Sequence, residues 1–441
     1  MSAKYQTPRG TRDFMPWEMA RRQYLFDVIR KTFERFGFAP METPAFESWE
    51  LLGAKGSGGE AVKDEVYVFK DKGGRAMGLR FDLTVPLARV IASNPQLQKP
   101  FKRCHVGRVW RYDNPQAGRF REFWQADIDV VGSASMAAEA ECIAAFAVCL
   151  KELGFSDFEV RINNRKLLNG MIEAAGIDKK KAAPVLRALD KLEKQGRQAV
   201  EKELRRAGVT PKQVGKLMGM ASIRGSPDDT IQKARPMLEG FLDAKEGLNE
   251  LEEIAILSSA YGTAGRIVID LSLVRGLDYY TGPIYEIKVK STKSGAGIGS
   301  IAGGGRYDNL IELYGGQPTP ATGFSFGIER IYEIMLKEGL FAGVMEGSTT
   351  ALAVAATDEP KLKNAAIEVA QKLRSAGIAA ETDVMGRKLK KVLEYADGKG
   401  IPYLIIIGEK ELKSGRFTLK DLKKREQKTL GFASIIRALK K

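Results

Sequence analysis

The chain has 441 residues, of which 44% are hydrophobic and 28% are charged, so we expect a globular protein of about two to four domains. It contains no apolar run of membrane-spanning length, and its first residues lack the apolar core of a signal peptide. The net charge of +15 is compatible with a polyanionic partner such as nucleic acid and equally with a solubilising surface. The three cysteines form neither a C-x-x-C pair nor a disulfide framework, which favours a cytoplasmic protein without a zinc site.

The first predicted element is a helix from Glu18 to Phe36, in which apolar residues recur at helical spacing before a stop at Gly37. An extended segment up to Pro44 follows, because a residue that precedes proline avoids the helical region. From Met77 to Val85 apolar and polar residues alternate, which predicts a strand with one ionic face. The residues from Met136 to Leu153 then predict a mostly apolar helix.

Two strand-like runs between Phe101 and Gly132 flank a short segment rich in turn residues, which predicts a β-hairpin. On the first run, Arg111 shares a face with His105 and Asp113. On the second run, apolar side chains alternate with polar ones, so the two kinds face opposite sides. The polar face carries Arg121, Phe123, Gln125, Asp127 and Asp129. A sheet face with so many charged and amide groups is either wet or the floor of a ligand site.

Lysine, arginine, glutamate, leucine and alanine dominate from about Ile177 to Ala260, where helical spacing predicts an inserted helical module. Strands return afterwards, and the residues from Gly343 to Ser348 have the composition of a linker. Beyond it, strands alternate with helices, which predicts a separate small α/β domain. The predicted domains are residues 1–176 together with 261–341, residues 177–260, and residues 349–441.

The sequence contains neither a phosphate-binding G-x-x-x-x-G-K-[ST] loop nor a G-x-G-x-x-G turn between strand and helix. The lone His105 has no serine–aspartate partnership, so we expect it to be structural. What remains is a set of arginines, carboxylates and one amide at predicted sheet and loop positions. The set is Arg111, Arg275, Arg330, Asp82, Asp129 and Gln125. Each of these residues taken alone fits a surface salt bridge. Taken together, they fit a binding site for an amino acid and a nucleoside triphosphate.

Five motifs carry a resemblance to a known family. The first helix with its extended segment, NPQAGRFREF at residues 114–123 and GFSFGIER at residues 323–330 resemble motifs 1, 2 and 3 of class II aminoacyl-tRNA synthetases. LVRGLDYY at residues 273–280 and AGGGRYD at residues 302–308 resemble stretches specific to the histidyl-tRNA synthetase family. The resemblance implies an α+β catalytic domain with an antiparallel sheet flanked by helices, a helical insertion and a C-terminal α/β anticodon-binding domain.

The same resemblance implies which residues bind ATP. Arg111 and Arg275 would be the catalytic groups and would hold the α-phosphate from two sides. Arg330 would bind the far phosphates. Arg275 stands where related enzymes use a metal, so no residue is implied as a metal ligand, and Mg²⁺ is implied as a requirement together with ATP.

A larger set is implied to bind the amino acid. The implied histidine-binding residues are Asp82, Leu83, Thr84, Arg111, Gln125, Asp129, Arg275, Tyr279 and Tyr280. Asp82, Thr84 and Gln125 would hold the α-ammonium group, and Asp129 would read the imidazole ring. Asp127 points to the same predicted face and is the alternative to Asp129.

The implied partners are L-histidine, ATP, tRNA(His) and a second copy of the chain, bound through motif 1, without a membrane. The basic stretch from Arg387 to Lys391 would contact the anticodon stem or loop, or else form a solvated helix face. The insertion would clamp the acceptor arm, or else be a solvated bundle. A regulatory paralogue of this catalytic domain, found with ATP phosphoribosyltransferase, lacks both RGLDYY and the anticodon-binding domain. Class II synthetases for proline, threonine or glycine do not share LVRGLDYY, so the histidine enzyme is favoured.

Overall fold

The computed structural model describes residues 5–54, 64–115, 118–276, 279–290, 299–344, 350–357 and 359–440. The chain divides into two compact units. The larger contains Met1–Asp13 and Leu25–Phe341, and the smaller contains Phe14–Tyr24 and Ala342–Lys441. None of the helices in the described part of the chain combines the length and apolarity that a bilayer crossing needs.

The strands are numbered along the chain. They are β1 Ala39–Pro40, β2 Phe46–Ser48, β3 Val68–Lys70, β4 Ala76–Leu79, β5 Phe101–Trp110, β6 Glu122–Val131, β7 Phe158–Asn164, β8 Arg224–Gly225, β9 Ile267–Asp270, β10 Pro283–Val289, β11 Ala302–Arg306, β12 Ala321–Gly327, β13 Ala351–Ala355, β14 Ala380–Thr382, β15 Tyr403–Ile407, β16 Arg416–Asp421 and β17 Glu426–Gly431. The α-helices are Pro16–Arg35, Trp49–Leu52, Thr84–Ser93, Ala137–Glu152, Arg165–Ala174, Ala182–Leu189, Leu192–Gln195, Arg197–Arg206, Pro211–Ala221, Pro227–Leu238, Leu242–Ala260, Leu310–Leu313, Ile328–Glu338, Pro360–Ser375, Leu389–Gly398, Glu409–Ser414 and Phe432–Leu439.

The larger unit is built on a nine-stranded sheet with the order β1-β5-β6-β12-β11-β10-β7-β9-β8. Most neighbouring strands are antiparallel, whereas β1 with β5 and β7 with β9 are parallel. The predicted fold class is therefore confirmed for a sheet flanked by helices, with the refinement that the sheet is mixed.

The predicted hairpin forms the second and third strands of this sheet, next to the short edge strand β1. β5 and β6 pair in register from Phe101 opposite Val131 to Trp110 opposite Glu122. The apolar face of β6 turns towards the helices, where the Trp124 ring lies 4.9 Å from that of Phe26. The other face lines a cavity, so the two predicted faces of the hairpin are confirmed.

Aromatic side chains attach the helical layer to the apolar face of the sheet. Phe146 of the helix Ala137–Glu152 stacks on Phe324 and Phe326 of β12, with ring centres 4.2 Å and 4.0 Å away. Phe33 of the first long helix lies 5.4 Å from the same Phe146 ring. Each such pair contributes about 0.5–1.5 kcal/mol beyond its buried area. The helices therefore cover one face of the sheet and leave the opposite face for a ligand.

The prediction of a strand from Met77 to Val85 is wrong after Leu79. β4 ends at Leu79, and a helix begins at Thr84. The Asp82 carboxylate accepts a hydrogen bond of 3.0 Å from the backbone N–H of Val85, which satisfies one of the free donors of the first helical turn. Residues 80–83 are all buried, so the alternation of residue types in this segment does not correspond to an alternation of burial.

The insertion is helical, as predicted, but it also contributes to the large sheet. β8 pairs with β9 at the edge of the sheet. The long helix Leu242–Ala260 packs closely on the helix Arg165–Ala174, because a Cβ atom at Gly247 would lie 2.7 Å from the backbone nitrogen of Leu167. This last helix of the insertion is thus part of the layer that covers the sheet.

The smaller unit contains a five-stranded sheet with the order β14-β13-β15-β16-β17. Its first three strands are parallel and its last two are antiparallel. The helices Pro360–Ser375 and Phe432–Leu439 cover one face, and the helix Leu389–Gly398 covers the other. The predicted α/β domain is confirmed, although Arg387 and Lys388 of its basic stretch precede the helix.

Candidate active site

A cavity of about 930 Å³ lies on the polar face of the large sheet. Its lining includes every predicted site residue except one. These are Asp82, Thr84, Arg111, Gln125, Asp129, Arg275, Tyr279, Tyr280 and Arg330. The exception is Leu83, whose side chain is buried and whose carbonyl accepts a hydrogen bond of 2.9 Å from Arg103. Leu277 and Asp278 of the predicted family stretch, and residues 116–117 and 291–298, lie outside the described residues.

Three buried carboxylates, here called the acidic cluster, form one part of the cavity. They are Asp82, Asp127 and Asp129, which are 3%, 3% and 1% exposed. Burial raises the pKa of Asp82 to about 6 and that of Asp127 to about 7. Burial also raises the pKa of Asp129, and the nearby Arg103 opposes all three shifts. The cluster is therefore suited to a ligand that brings positive charge or N–H donors.

Arg103 is a site residue that the sequence prediction missed. Its side chain is fully buried, and its guanidinium forms an ion pair with Asp129 at 2.8 Å. The β5–β6 register places the two residues directly opposite each other. The available signal was that a hairpin centred on the predicted turn pairs these two positions on the same face.

Tyr307 is the second residue that was missed, although it lies within the AGGGRYD motif. Its hydroxyl donates a hydrogen bond to Oδ1 of Asp129. The ring centre of Tyr279 lies 5.9 Å from that of Tyr307 and 4.8 Å from that of Tyr280. The three tyrosines thus form an aromatic wall next to the acidic cluster.

His105 takes no direct part in the cavity. It is buried, and burial together with Arg103 and Arg80 lowers its pKa to about 3. It is therefore neutral at physiological pH, which agrees with the structural role expected from the sequence.

Three arginines, here called the arginine cluster, form another part of the cavity: Arg111, Arg275 and Arg330. Arg111 donates a hydrogen bond of 2.9 Å to the carbonyl of Phe81, and its guanidinium lies 5.3 Å from the ring centre of Phe123. Burial lowers the pKa of Arg330, and the like charges of the neighbouring arginines add to the shift. An anionic ligand would relieve this repulsion.

Arg111 connects the two clusters. Its positive charge opposes the rise in the pKa of Asp82, and it also contributes to lowering the pKa of Arg330. Its guanidinium is therefore placed to bind an anionic group that lies between an acidic site and a basic site.

Glycines of β11 and β12 make room for the site side chains. A Cβ atom at Gly303 would overlap the Arg275 guanidinium, and one at Gly323 would overlap the Asp129 carboxylate. A Cβ atom at Gly305 would lie 2.7 Å from the Tyr280 ring. The glycine-rich motif thus allows three side chains to approach the sheet backbone.

An ion-pair chain runs from the arginine cluster to the insertion. Arg275 lies 3.5 Å from Glu286, which lies 3.6 Å from Lys288. Lys288 pairs with Glu193 of the helix Leu192–Gln195, and Glu193 lies 3.3 Å from Arg161. This ion-pair chain was not predictable from local sequence patterns, because its members come from three distant segments.

The fold and the cavity have the architecture that the resemblance to class II aminoacyl-tRNA synthetases implies. A family model described as Histidyl-tRNA synthetase matches residues 10–331, and one described as Anticodon binding domain matches residues 350–441. The chain belongs to the histidyl-tRNA synthetase family.

Individual relatives agree over the whole length. The chain is 40% identical over 429 residues to a histidine–tRNA ligase of Thermococcus kodakarensis, which covers 97% of this chain and 96% of the relative. It is 38% identical over 460 residues to that of Cytophaga hutchinsonii, with 99% of each chain covered. The crystal structure of histidyl-tRNA synthetase from Nostoc sp. PCC 7120 matches with a TM-score of 0.86 and 33% identity, covering 100% of this chain and 99% of that one.

Proposed function

We propose that the protein activates L-histidine with ATP to form histidyl-adenylate and then transfers the histidyl group to the 3′ end of tRNA(His). One observation carries this function: the acidic cluster and the arginine cluster line the same cavity, with Arg111 acting on both. Such a cavity accepts a cationic amino group and a polyphosphate at once. The family to which the chain belongs favours histidine as the amino acid.

In the first step, a carboxylate oxygen of histidine attacks the α-phosphorus of ATP, and the bond from that phosphorus to the bridging oxygen breaks to release pyrophosphate. No base is required, because the carboxylate is already ionised near pH 7. The obstacle is the approach of one anion to another. Arg111 and Arg275 overcome it by holding the carboxylate and the α-phosphate between fixed positive charges, while Arg330 holds the far phosphates.

In the second step, a ribose hydroxyl of the terminal tRNA nucleotide attacks the carbonyl carbon of the adenylate, and AMP leaves. The lone histidine is buried, neutral and away from the cavity lining. We assign the hydroxyl proton to a phosphate oxygen of the adenylate, so the substrate serves as its own base.

Mg²⁺ is proposed to enter with ATP. Among the residues that the structure describes, no group of three His, Cys, Asp or Glu side chains is arranged to hold a metal ion. Mg²⁺ commonly binds through substrate phosphates with only one or two protein carboxylates, so this donor set fits ion delivery by the nucleotide. The ion would neutralise phosphate charge that the arginines leave uncovered.

The remaining assignments concern the rest of the chain. We propose that residues 1–176 with 261–341 catalyse both steps, that residues 177–260 approach the acceptor arm, and that residues 349–441 bind the anticodon region. We also propose a cytoplasmic homodimer formed through the first long helix and the segment after it. Sedimentation equilibrium checks the dimer, and a monomer at micromolar concentration would contradict it.

The decisive measurement is exchange of labelled pyrophosphate into ATP. Exchange should require histidine and should be negligible with proline, threonine or glycine. A chain that merely binds histidine in a regulatory role would show binding without exchange. Either that result or equal exchange with another amino acid would refute the proposed function.

A further inference from the structure

Arg275 is held differently from the other two members of the arginine cluster. Arg111 and Arg330 each donate a hydrogen bond to a backbone carbonyl, so the main chain fixes both. Among the described residues, Arg275 has one ion-pair partner, Glu286 at 3.5 Å, and its buried Nε has no hydrogen-bond partner. The place of its guanidinium in the cavity therefore depends on another side chain.

The sheet places Glu286 beside that guanidinium. Glu286 of β10 lies directly opposite Gly303 of β11 in the antiparallel pair, so the two positions point to the same face. The Arg275 guanidinium occupies the space of the missing Gly303 side chain, because a Cβ atom there would overlap it. Arg275 thus lies over the floor of the cavity, within reach of one carboxylate.

Glu286 is shared between two cations. One of its oxygens faces Arg275, and the other lies 3.6 Å from Nζ of Lys288, which is two positions along β10 and therefore on the same face. Arg161 lies directly opposite Glu286 on β7, but its ion pairs are with other carboxylates. How firmly Glu286 holds Arg275 therefore depends on what else Lys288 binds.

The insertion supplies the other partner of Lys288. Glu193 of the helix Leu192–Gln195 accepts hydrogen bonds from Lys288 and from Arg161. Although burial opposes the shift, these two cations lower the pKa of Glu193, so its carboxylate is ionised at neutral pH. The insertion thus places a negative charge on the two cations of the sheet floor.

This arrangement sets up a competition for Glu286. In the described part of the chain, Lys288 pairs with two carboxylates only, Glu286 and Glu193. While Glu193 is bound, it offsets the charge of Lys288 from the side of the insertion. If the charge of Glu193 is removed, the attraction of Lys288 is left to Glu286 alone, and Glu286 turns towards it and away from Arg275.

We infer that Glu286 is a positioning residue for Arg275, and that Glu193 gives the insertion a part in adenylate formation by keeping Lys288 engaged. The inference rests on the proposed function, because that function assigns Arg275 to the α-phosphate. It also extends the proposed function, since the insertion then acts in the first step, before any tRNA is bound.

The test is pyrophosphate exchange without tRNA, measured on variants that remove a charge and keep the shape of the side chain. Glu286→Gln should lower kcat about tenfold and leave the KM for ATP within about twofold, because the charge of Arg275 is still present but is no longer placed at the α-phosphate. Glu193→Gln should lower kcat about threefold, again without a change in KM.

The background of Lys288→Met separates competition from other causes. Adding Glu193→Gln to Lys288→Met should have no further effect on exchange, because the competitor for Glu286 is already gone. Lys290→Met is the matched control. It removes a neighbouring lysine whose Nζ lies 3.6 Å from Glu159, and it should leave exchange unchanged.

Melting temperatures distinguish positioning from a structural role. Glu286→Gln should melt close to wild type, since ion pairs with partly exposed members contribute little to stability. A kcat that falls together with the melting temperature in this variant overturns the inference. The side chain of Glu193 is 62% exposed, so Glu193→Gln should fold in any case.

Two results with Glu193→Gln also overturn the inference. One is exchange at the wild-type rate, and the other is an equal loss of rate in the Lys288→Met background. Wild-type protein without histidine-dependent exchange would instead overturn the proposed function itself.

Discussion

Asp82, Asp127 and Asp129 lie together in the cavity although each is almost completely buried. Burying a charge is tolerated where a partner or a change of protonation compensates for it. Arg103 forms its ion pair with Asp129, and its charge opposes the pKa rise of all three carboxylates. Burial therefore favours the protonated form of these carboxyl groups, and a cationic ligand would favour the ionised form.

This protonation gives the empty protein a defined pH dependence. The pKa of an aspartate in the unfolded chain is about 3.9, whereas burial raises the pKa of Asp127 to about 7 in the folded protein. The folded state thus binds the additional proton between these values, so its stability falls as the pH rises through this window and is constant above it. Asp127→Asn lacks this loss. The difference between the melting temperature of Asp127→Asn and that of wild type should increase from about pH 4 to about pH 7 and then stay constant.

The matched comparison is Asp82→Asn. Burial raises the pKa of Asp82 only to about 6. The difference in melting temperature between Asp82→Asn and wild type should therefore stop rising at a lower pH than the difference for Asp127→Asn. Melting curves without ligand check both variants. Differences that do not change with pH would mean that neither carboxylate holds a proton in the folded state.

Arg275 offers a test of the electrostatic contribution to catalysis. Arg275→Ala should reduce the rate of adenylate formation about 10²- to 10³-fold, because on the proposed assignment it removes one of the two fixed charges beside the α-phosphate. The variant should still fold, since the Arg275 guanidinium lines the cavity and is not part of the hydrophobic core. Pyrophosphate exchange checks the rate. Arg235→Ala, which removes a 2.8 Å ion pair with Glu252 within the insertion, serves as the control and should leave exchange unchanged.

At the scale of the element, β11 shows how adjacent glycines serve different purposes. A Cβ atom at Gly303 would meet the flexible end of Arg275, whereas one at Gly304 would meet the backbone carbonyl of Gly323. Gly303→Ala should therefore slow exchange at least tenfold by displacing the guanidinium, with a melting temperature close to wild type. Gly304→Ala should destabilise the protein, because the neighbouring strand cannot move away. Equal melting temperatures for the two variants would contradict this distinction.

The elements differ in how far the sequence could predict them. The hairpin was predictable because alternation, turn residues and register are all local. The segment after Leu79 was misread because its residue types alternate as they would in a strand, although residues 80–83 are all buried and a helix begins at Thr84. β7 was not predicted at all.

The candidate site shows the same limit. Motifs identified the residues that line the cavity, but they could not show which carboxylate is already engaged. Asp129 is engaged by Tyr307, which is 178 positions away, and by Arg103 on the paired strand. Such partners depend on the order of strands in the sheet, which is a property of the whole chain.

At the scale of the molecule, the net charge of +15 predicts that the two steps respond differently to salt. Contacts between basic side chains and tRNA phosphates release counterions, so the logarithm of the tRNA affinity should fall linearly with the logarithm of salt concentration, by about 0.7 to 0.9 per contacted phosphate. Pyrophosphate exchange without tRNA should change far less. Filter binding and exchange assays between 50 mM and 200 mM salt, concentrations at which such slopes are measurable, check this. If the tRNA affinity did not change with salt concentration, the net positive charge would serve solubility and not tRNA binding.

The ion-pair chain also belongs to this scale. It joins Glu193 of the insertion to Arg275 of the cavity through Lys288 and Glu286. Pairs with exposed members contribute little to stability, typically about 0–1 kcal/mol. Their consequence is geometric: a shift of the insertion changes the charges that surround Arg275.

The cavity also has a handedness. On the proposed assignments, the ammonium group of the amino acid faces Asp82, its carboxylate faces Arg111, and its ring faces the remaining part of the acidic cluster. These three attachment points differ chemically and are fixed on one sheet. In the D-amino acid two of these three groups exchange places. Either the ammonium group then faces the Arg111 guanidinium, or the ring occupies the position of the ammonium group or of the carboxylate. On these assignments, the same charges that bind L-histidine disfavour D-histidine at the first step.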